Sequence, residues 1–278
     1  MRVTGFLRCL VAVWLAVQLA PLKASPPGTA IAFASLDQGQ SYKLHGTLFL
    51  PEDGAPIHPA LVVIHGTLGI DSRNEFYRET LLKAGIATFE VDFKTGVFAT
   101  VFGRPKASAF VPMSFAALKE LRKLKAIDPD RIGIMGFSLG GHMAVDAAFE
   151  TNRKAWLGDE KGFAAHVAFY PVCRPYLKQE DLKMTGAPMI ILYGTEDTYG
   201  EGSSVPAFKQ LLLEKAKFEV ATIPYTGAHH AFNLNAPPED HWDPVAIGHK
   251  SHTAWSPEAA NDSRIKVVEF LRQTLTAR

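Results

Sequence analysis

Apolar and polar positions alternate along the chain in a pattern that predicts strands and helices in turn. Residues 60–66 and 86–92 are short, nearly continuous apolar runs, typical of strands buried on both faces of a parallel sheet. Residues 74–84 between them have helical spacing and stop at Gly85. The same reasoning predicts further strands over 131–135, 165–170, 189–194 and 218–225, and further helices over 112–125, 141–149, 205–216 and 257–276.

Two segments ahead of this alternation have the period of an exposed hairpin. Residues 31–35 are one candidate strand, residues 42–50 alternate at period two and are the next, and residues 37–40 are the turn between them. The whole pattern predicts an α/β fold, in which a mostly parallel twisted sheet carries helices on both faces and the hairpin adds antiparallel strands at one edge. We expect one such domain over residues 25–278.

The first residues differ in kind from the rest. Arg2 and Arg8 give a positive start, residues 9–20 are an apolar run, and Pro21 breaks it. A spanning helix needs about 20 apolar residues, so the run is short for one. The pattern predicts a signal peptide over residues 1–24 and a secreted or periplasmic protein without stable membrane insertion after cleavage. An uncleaved membrane anchor is the alternative.

Composition narrows the range of partners. The chain is 47% hydrophobic and 21% charged with a formal net charge of +1, an ordinary globular balance. It carries no basic stripe, so we expect no nucleic-acid partner. Of the two cysteines, Cys9 lies in the predicted signal peptide, which leaves Cys173 alone and rules out an internal disulfide after cleavage. Nothing in the sequence predicts an oligomeric state.

The candidate chemistry begins at residues 136–140, which read Gly-Phe-Ser-Leu-Gly between a predicted strand and a predicted helix. This pattern in this setting is the nucleophile elbow of α/β-hydrolases. The flanking glycines permit a turn so tight that a β-carbon would collide with its neighbours. Ser138 is therefore the candidate nucleophile.

An acid and a histidine follow in the order that such hydrolases use. Asp197 comes after the strand at 189–194, with Glu196 as the alternative acid. His230 comes after the strand at 218–225, with His229 as the alternative base. The chain order of Ser, Asp and His is that of the α/β-hydrolases, and the ends of parallel strands meet at one edge of the sheet.

The other site predictions follow from the same sheet edge. The N–H groups of Thr67 and Leu139 are the expected oxyanion hole, and His65 is interpreted as a structural residue of the first loop. The segment 241–252 has His and Asp residues without tight ligand spacing, so we interpret it as a polar cap loop, and we expect neither metal nor cofactor. The predicted pocket consists of Leu68, Phe137, Cys173, Tyr199 and Phe232.

Five motifs follow in order along the chain: His65-Gly66-x-x-Gly69, Gly136-Phe137-Ser138-Leu139-Gly140-Gly141, Phe169-Tyr170-Pro171-x-Cys173, Gly194-x-x-Asp197 and Gly227-x-x-His230-Ala231-Phe232. Together they resemble the dienelactone hydrolase family of the α/β-hydrolase superfamily. The resemblance implies the α/β-hydrolase fold, and it favours His230 over His229 because the family's His precedes Ala-Phe. The type members carry Cys at the nucleophile and Glu in the oxyanion loop, whereas this chain resembles the Ser-type, esterase-like relatives.

The expected function is that of an exported serine hydrolase that cleaves a small-molecule ester or lactone through a Ser-His-Asp triad and an acyl-enzyme. One alternative is a peptidase related to prolyl oligopeptidases, although the residues ahead of the first catalytic strand leave no room for the propeller of those enzymes. Another is a non-catalytic binding protein on a hydrolase scaffold. The complete set of Ser138, Asp197 and His230 argues against the latter.

Overall fold

The structure, a computed structural model, describes residues 27–37, 40–93 and 110–276. The predicted signal peptide at 1–24 lies outside the described residues. Within the described part, no helix is both long enough and apolar enough to cross a membrane.

The described residues form ten strands and six α-helices. The strands are β1 (Thr29–Asp37), β2 (Gln40–Phe49), β3 (His58–Ile64), β4 (Ala87–Asp92), β5 (Ile127–Phe137), β6 (His166–Phe169), β7 (Met189–Gly194), β8 (Ala221–Tyr225), β9 (Glu239–Trp242) and β10 (Lys250–Thr253). The helices are α1 (Ser72–Lys83), α2 (Val111–Leu121), α3 (Leu139–Asp146), α4 (Glu150–Leu157), α5 (Glu201–Leu211) and α6 (Pro257–Leu271). Short 3₁₀ segments occur at Arg174–Lys178 and Ile247–His249, and π-helical turns extend α5 and α6.

Eight strands form one sheet in the order β1-β2-β4-β3-β5-β6-β7-β8. β2 pairs antiparallel with both β1 and β4, whereas β4, β3, β5, β6, β7 and β8 pair in parallel. This confirms the predicted mostly parallel sheet with an antiparallel hairpin at one edge. The carboxyl ends of the parallel strands all lie at one edge, where sites of open α/β sheets form.

The sheet separates two hydrophobic cores. Val62 and Val63 are neighbours in β3, yet Val62 packs in one core and Val63 in the other, and both are buried. Leu81 of α1 and Leu271 of α6 pack on the side of Val63, and Leu118 of α2 packs on the side of Val62. A strand covered on both faces needs apolar side chains at every position, which explains the continuous apolar run in the sequence.

Two segments differ from the elements that the sequence predicts. The helix predicted over 141–149 ends at Asp146, and a separate helix, α4, follows it. Leu157 is the one buried residue of α4, so this helix lacks the apolar periodicity that would indicate it. The predicted polar cap loop contains β9 and β10, which pair as a hairpin. All four residues of β9 are exposed, so no alternation indicated a strand.

Candidate active site

Ser138 lies in a sharp turn between β5 and α3, with φ 55° and ψ −112°. A positive φ is costly for a residue with a side chain and occurs where the surroundings enforce it. A β-carbon on Gly136 would lie 2.0 Å from the carbonyl oxygen of Gly140, and one on Gly140 would lie 2.3 Å from that of Ile64. Both positions therefore accept only glycine, and the turn has the predicted elbow geometry.

The structure brings Ser138, His230 and Asp197 into one hydrogen-bonded chain. The Nε2 atom of His230 lies 2.9 Å from the Oγ of Ser138, and its Nδ1 lies 2.7 Å from Oδ2 of Asp197. With the ring proton on Nδ1 donated to the carboxylate, Nε2 is free to accept the hydroxyl hydrogen. This arrangement allows the serine proton to be removed as its oxygen attacks.

The environment of Asp197 keeps its carboxylate ionised. Burial opposes the charge, but the attraction of His230 and the hydrogen bonds to the carboxylate outweigh it. One of these bonds is donated by the backbone N–H of Tyr199 to Oδ1 over 2.9 Å. Together they hold the pKa of Asp197 below its usual value, so the acid is negatively charged at neutral pH.

The alternative acid and base are directed elsewhere. Glu196 is exposed on the surface of the loop. The Nδ1 of His229 lies 3.1 Å from the backbone oxygen of Glu196, and its ring packs edge-on against His252 at 4.4 Å between centroids. The residues that meet at the elbow are thus Asp197 and His230.

The loop after β3 passes directly beside the serine. Gly69 donates its N–H to the oxygen of Gly66 over 3.2 Å, which closes a turn with Thr67 at its centre. A β-carbon on Gly66 would lie 3.7 Å from the Cβ of Ser138. Leu139 is the first residue of α3, where helix N–H groups have no intrahelical partner. The N–H groups of Thr67 and Leu139 thus belong to the two segments that flank the nucleophile.

His65 fixes this loop to the end of the neighbouring strand. Its Nδ1 donates to the oxygen of Gly66 over 2.6 Å, and its Nε2 accepts the N–H of Phe93 over 3.1 Å. Burial lowers the pKa of His65, so the ring is neutral, as this donor and acceptor pair requires. Its contacts are those of the structural residue that the sequence predicted.

A buried polar chain behind the site has no counterpart among the sequence predictions. The guanidinium of Arg73 donates to the hydroxyl of Tyr170 over 2.8 Å, and that hydroxyl donates to the side chain of Asn233 over 2.6 Å. Asn233 in turn donates to the hydroxyl of Tyr77 over 2.8 Å, and Arg73 also pairs with Asp71. The chain connects the start of α1 with the end of β6 and with the loop that carries His230.

Two residues next to the site have a positive φ besides Ser138. Tyr170 has a φ of 38° and Ala231 a φ of 54°, and each lies beside a residue of the site. The ring of Tyr170 meets that of His230 edge-on at 4.7 Å between centroids. Such conformations persist only where the surroundings over-determine them, and they cluster at functional sites.

Three of the predicted pocket residues are wrong. Phe137, Cys173 and Phe232 have no exposed surface. Phe137 and Phe232 pack with Phe169 in one core, and Cys173 packs in the other, where burial raises the pKa of its thiol. Phe137 is the last residue of β5, and Cys173 and Phe232 lie in the loops after β6 and β8. All three point into a core, which their place in the sequence does not reveal.

The other two predicted pocket residues lie around the serine and the histidine. Leu68 is 72% exposed in the turn beside the serine. Tyr199 packs its ring on His230 at 4.4 Å between centroids and donates its hydroxyl to Asp243 over 2.9 Å. The β9–β10 hairpin approaches from the same side, because Thr253 of β10 forms a bridge with His230. Leu68 and Tyr199 thus lie in the segments next to Ser138 and His230, and their role in a pocket stays a prediction.

Among the described residues, one group of acidic and histidine side chains could hold a metal ion. Asp197, Glu201 and His230 each place a possible ligand atom within 4.8 Å of the others. Asp197 and His230 already bind each other, so a cation would have to compete with that hydrogen bond. Glu201 is absent from the sequence predictions, because it stands in a Gly- and Ser-rich segment with no motif around it.

A sequence profile of the dienelactone hydrolase family matches residues 44–275. A sequence comparison with curated proteins found no match.

The fold is similar to that of a dienelactone hydrolase-like promiscuous phosphotriesterase from metagenomic libraries, at 18% identity and a TM-score of 0.65 over 89% of this chain and 98% of that one. It is also similar to an esterase of the planctomycete Thermogutta terrifontis with propionate bound, at 20% identity and a TM-score of 0.64 over 92% and 98% of the two chains. The same esterase phosphorylated by paraoxon matches at 20% identity with a TM-score of 0.63 over 92% of this chain and 100% of that one. These likenesses establish the α/β-hydrolase fold.

Proposed function

Because this chain belongs to the dienelactone hydrolase family, we propose that it is a serine hydrolase that cleaves carboxylic esters or lactones through an acyl-enzyme on Ser138. One observation carries the proposal. At a strained turn between strand and helix, the Oγ of Ser138 lies 2.9 Å from the Nε2 of His230. The Nδ1 of His230 lies 2.7 Å from the carboxylate of Asp197. Nucleophile, base and orienting acid are thereby in hydrogen-bond reach of one another.

Acylation uses these three residues in sequence. The Oγ of Ser138 attacks the carbonyl carbon of the substrate while the Nε2 of His230 takes the hydroxyl proton. The negative charge of Asp197 stabilises the imidazolium that forms and holds its ring in place. When the tetrahedral intermediate collapses, His230 gives the proton to the departing alkoxide, and the acyl group remains on Ser138. In a lactone the released alcohol stays attached to the acyl group.

The negative oxygen of the intermediate is bound by backbone groups. The N–H groups of Thr67 and Leu139 are the donors in this proposal, and the start of α3 adds the positive end of its dipole. Loss of one such donor typically slows a hydrolase by about a hundredfold to a thousandfold. Water, activated by His230, then attacks the acyl-enzyme and releases the acid. Every step draws on protein groups and water.

The substrate class rests on the nucleophile and on the relatives. The family's type members carry Cys at the position of Ser138. This chain has Ser there, as the esterase-like relatives do. The propionate-bound esterase of T. terrifontis supports a short acyl group, and its paraoxon adduct supports organophosphates as probes of Ser138. We therefore propose short-chain esters and small lactones as the first substrates to test.

We also propose that the protein is exported by cleavage of the segment 1–24. The charged start, the apolar run and the break at Pro21 support this proposal. N-terminal sequencing of protein recovered from the periplasm or the medium tests it. A mature chain starting near residue 25 is expected, and an intact start in the cytoplasm would contradict it.

The proposed activity is tested with p-nitrophenyl esters of short acids and a panel of lactones. We expect the wild type to hydrolyse the esters and Ser138→Ala to abolish turnover. Ser203→Ala is the matched control, since Ser203 is exposed on α5 and should leave the rate unchanged. His230→Ala should remove activity where His229→Ala retains it. Hydrolysis by the Ser138→Ala variant at the wild-type rate would refute the assignment.

A further inference from the structure

Glu201 is a buried carboxyl group that the proposed mechanism does not use. It is the first residue of α5, four positions after Asp197, and it has no exposed surface. Neither of its carboxyl oxygens makes a hydrogen bond of ordinary geometry with the described residues. A buried polar group without a partner is costly, and an isolated buried charge is more costly still. Its presence next to the site needs a physical reason.

The groups that face Glu201 come from several elements. Asp197 and His230, on the loops after β7 and β8, each place a polar atom within 4.8 Å of a Glu201 oxygen. Cys173 and Arg174 approach from the start of the 3₁₀ segment Arg174–Lys178. Arg174 is exposed, and its guanidinium donates to the backbone oxygen of Val245 over 2.6 Å, so it neutralises Glu201 only weakly. Of the charges that act on Glu201, the carboxylate of Asp197 has the largest effect.

Two carboxyl groups at this separation do not both ionise in a dry site. Asp197 keeps its negative charge because His230 and the N–H of Tyr199 stabilise it. Burial, followed by the charge of Asp197, raises the pKa of Glu201 to about 10, and the opposing effects of its own backbone N–H and of Arg174 are smaller. The proton of the pair therefore resides on Glu201 at neutral pH.

We propose that Glu201 is a positioning residue that keeps its proton and directs it at the carboxylate of Asp197, so that the pair presents a single negative charge to His230. Each oxygen of Asp197 has two lone pairs, and the known donors, His230 and Tyr199, use one on each oxygen. A neutral Glu201 fills a further acceptor position and fixes the carboxylate plane. This inference rests on the proposed function, since it assigns a role through Asp197.

The charge state matters for catalysis. An ionised Glu201 could no longer donate a hydrogen bond to Asp197, and repulsion between the two carboxylates would displace the one that orients His230. Loss of the Glu201 proton should therefore weaken turnover at alkaline pH. A residue that merely fills space would produce no such pH dependence.

The test compares Glu201→Gln with Glu201→Leu. Gln keeps the size and a hydrogen-bond donor without a titratable proton, whereas Leu removes the donor. At neutral pH we expect Glu201→Leu to lower kcat about tenfold with KM unchanged, and Glu201→Gln to recover most of that loss. Between pH 8 and about 11, kcat/KM of the wild type should fall and that of Glu201→Gln should not. Ser204→Ala, at a buried serine in the next turn of α5, is the matched control and should follow the wild type.

Three results would overturn the inference. One is an alkaline fall in kcat/KM that is the same in the wild type and in Glu201→Gln. Another is a kcat of Glu201→Leu equal to that of the wild type. The third is a wild-type activity that EDTA removes and that added Zn²⁺ or Ca²⁺ restores, with no such restoration in Glu201→Gln. A cation, and not a proton, would then join the two carboxyl groups. Fluorophosphonate labelling of each variant separates these outcomes from failure of the proposed function. A wild type that does not react with the probe would refute Ser138 as the nucleophile. A reactive wild type with one of the three results above would refute only the role of Glu201.

Discussion

Replacing Glu201 by Gln should stabilise the protein, and the gain should grow as the pH rises. In the folded protein this carboxyl keeps its proton at a pH where a Glu of the unfolded chain has lost it, because burial and the charge of Asp197 raise its pKa. Between the two pKa values the folded state binds one proton more than the unfolded state. The free energy of unfolding therefore falls as the pH rises, and Glu201→Gln does not share this fall.

The magnitude follows from the proton count. One proton corresponds to about 1.4 kcal/mol per pH unit. The window extends from the usual Glu pKa of about 4.3 in the unfolded chain to about 10 in the folded protein. Between pH 6 and pH 8 the difference in unfolding free energy between Glu201→Gln and the wild type should grow by about 2.7 kcal/mol. For a domain of this size that is a change of about 5 to 10 °C in the difference between the two Tm values.

Urea unfolding of both proteins at pH 6, 7 and 8 and constant ionic strength measures this difference. Titration of every other group is common to the two proteins and cancels to first order. Ser204→Ala, in the same helix, should run parallel to the wild type. If the difference between wild type and Glu201→Gln stays constant over this range, Glu201 is ionised in the folded protein and the reasoning is wrong.

Two further predictions concern the framework of the site. Gly136→Ala should disrupt the elbow and abolish both soluble expression and activity, because its Cβ would lie 2.0 Å from the oxygen of Gly140. Gly162→Ala is the control: the atom nearest to its Cβ would be 3.4 Å away, and this variant should behave as wild type in the same assays. Arg73→Met should lower the free energy of unfolding, measured in urea, by about 3 kcal/mol, since it leaves a buried polar chain without its cation. Lys161→Ala, at an exposed ion pair, is the control and should change this free energy by less than about 1 kcal/mol. Equal losses in the two variants would contradict this account.

The order of the elements could be predicted because it is written in local patterns. The apolar run before residue 136, the glycines around Ser138 and the helix after them specify the elbow without reference to distant residues. Asp197 and His230 were identifiable because parallel strands end at one edge, so their positions in the chain imply a meeting in space. The structure brings both to the serine.

The contacts around Ser138, Asp197 and His230 join residues that are far apart in the sequence. Arg73 and Tyr170 are 97 positions apart, and their hydrogen bond depends on how α1 packs against the end of β6. Glu201 begins α5 within a Glu-Gly-Ser-Ser segment of low helix propensity, so the predicted helix started later, at 205. Gly200, with a φ of 87°, and the burial of Glu201 establish the earlier start.

The pocket was predicted least well, for a related reason. Phe137 precedes Ser138 and Phe232 comes two positions after His230. The backbone has a positive φ at Ser138 and at Ala231, so it changes direction beside each phenylalanine. Their side chains complete the core beneath the site. Their closeness to Ser138 and His230 in sequence placed these residues near the site correctly, but it did not reveal that their side chains point into the core.

The central claim is that Ser138 is the nucleophile of a hydrolase. The most direct measurement is mass-spectrometric peptide mapping after reaction of the folded protein with a fluorophosphonate. We expect one adduct per chain, on Ser138, formed in parallel with loss of ester hydrolysis and absent from Ser138→Ala. No adduct on the folded wild type, or an adduct on another residue such as the buried Cys173, would contradict the account.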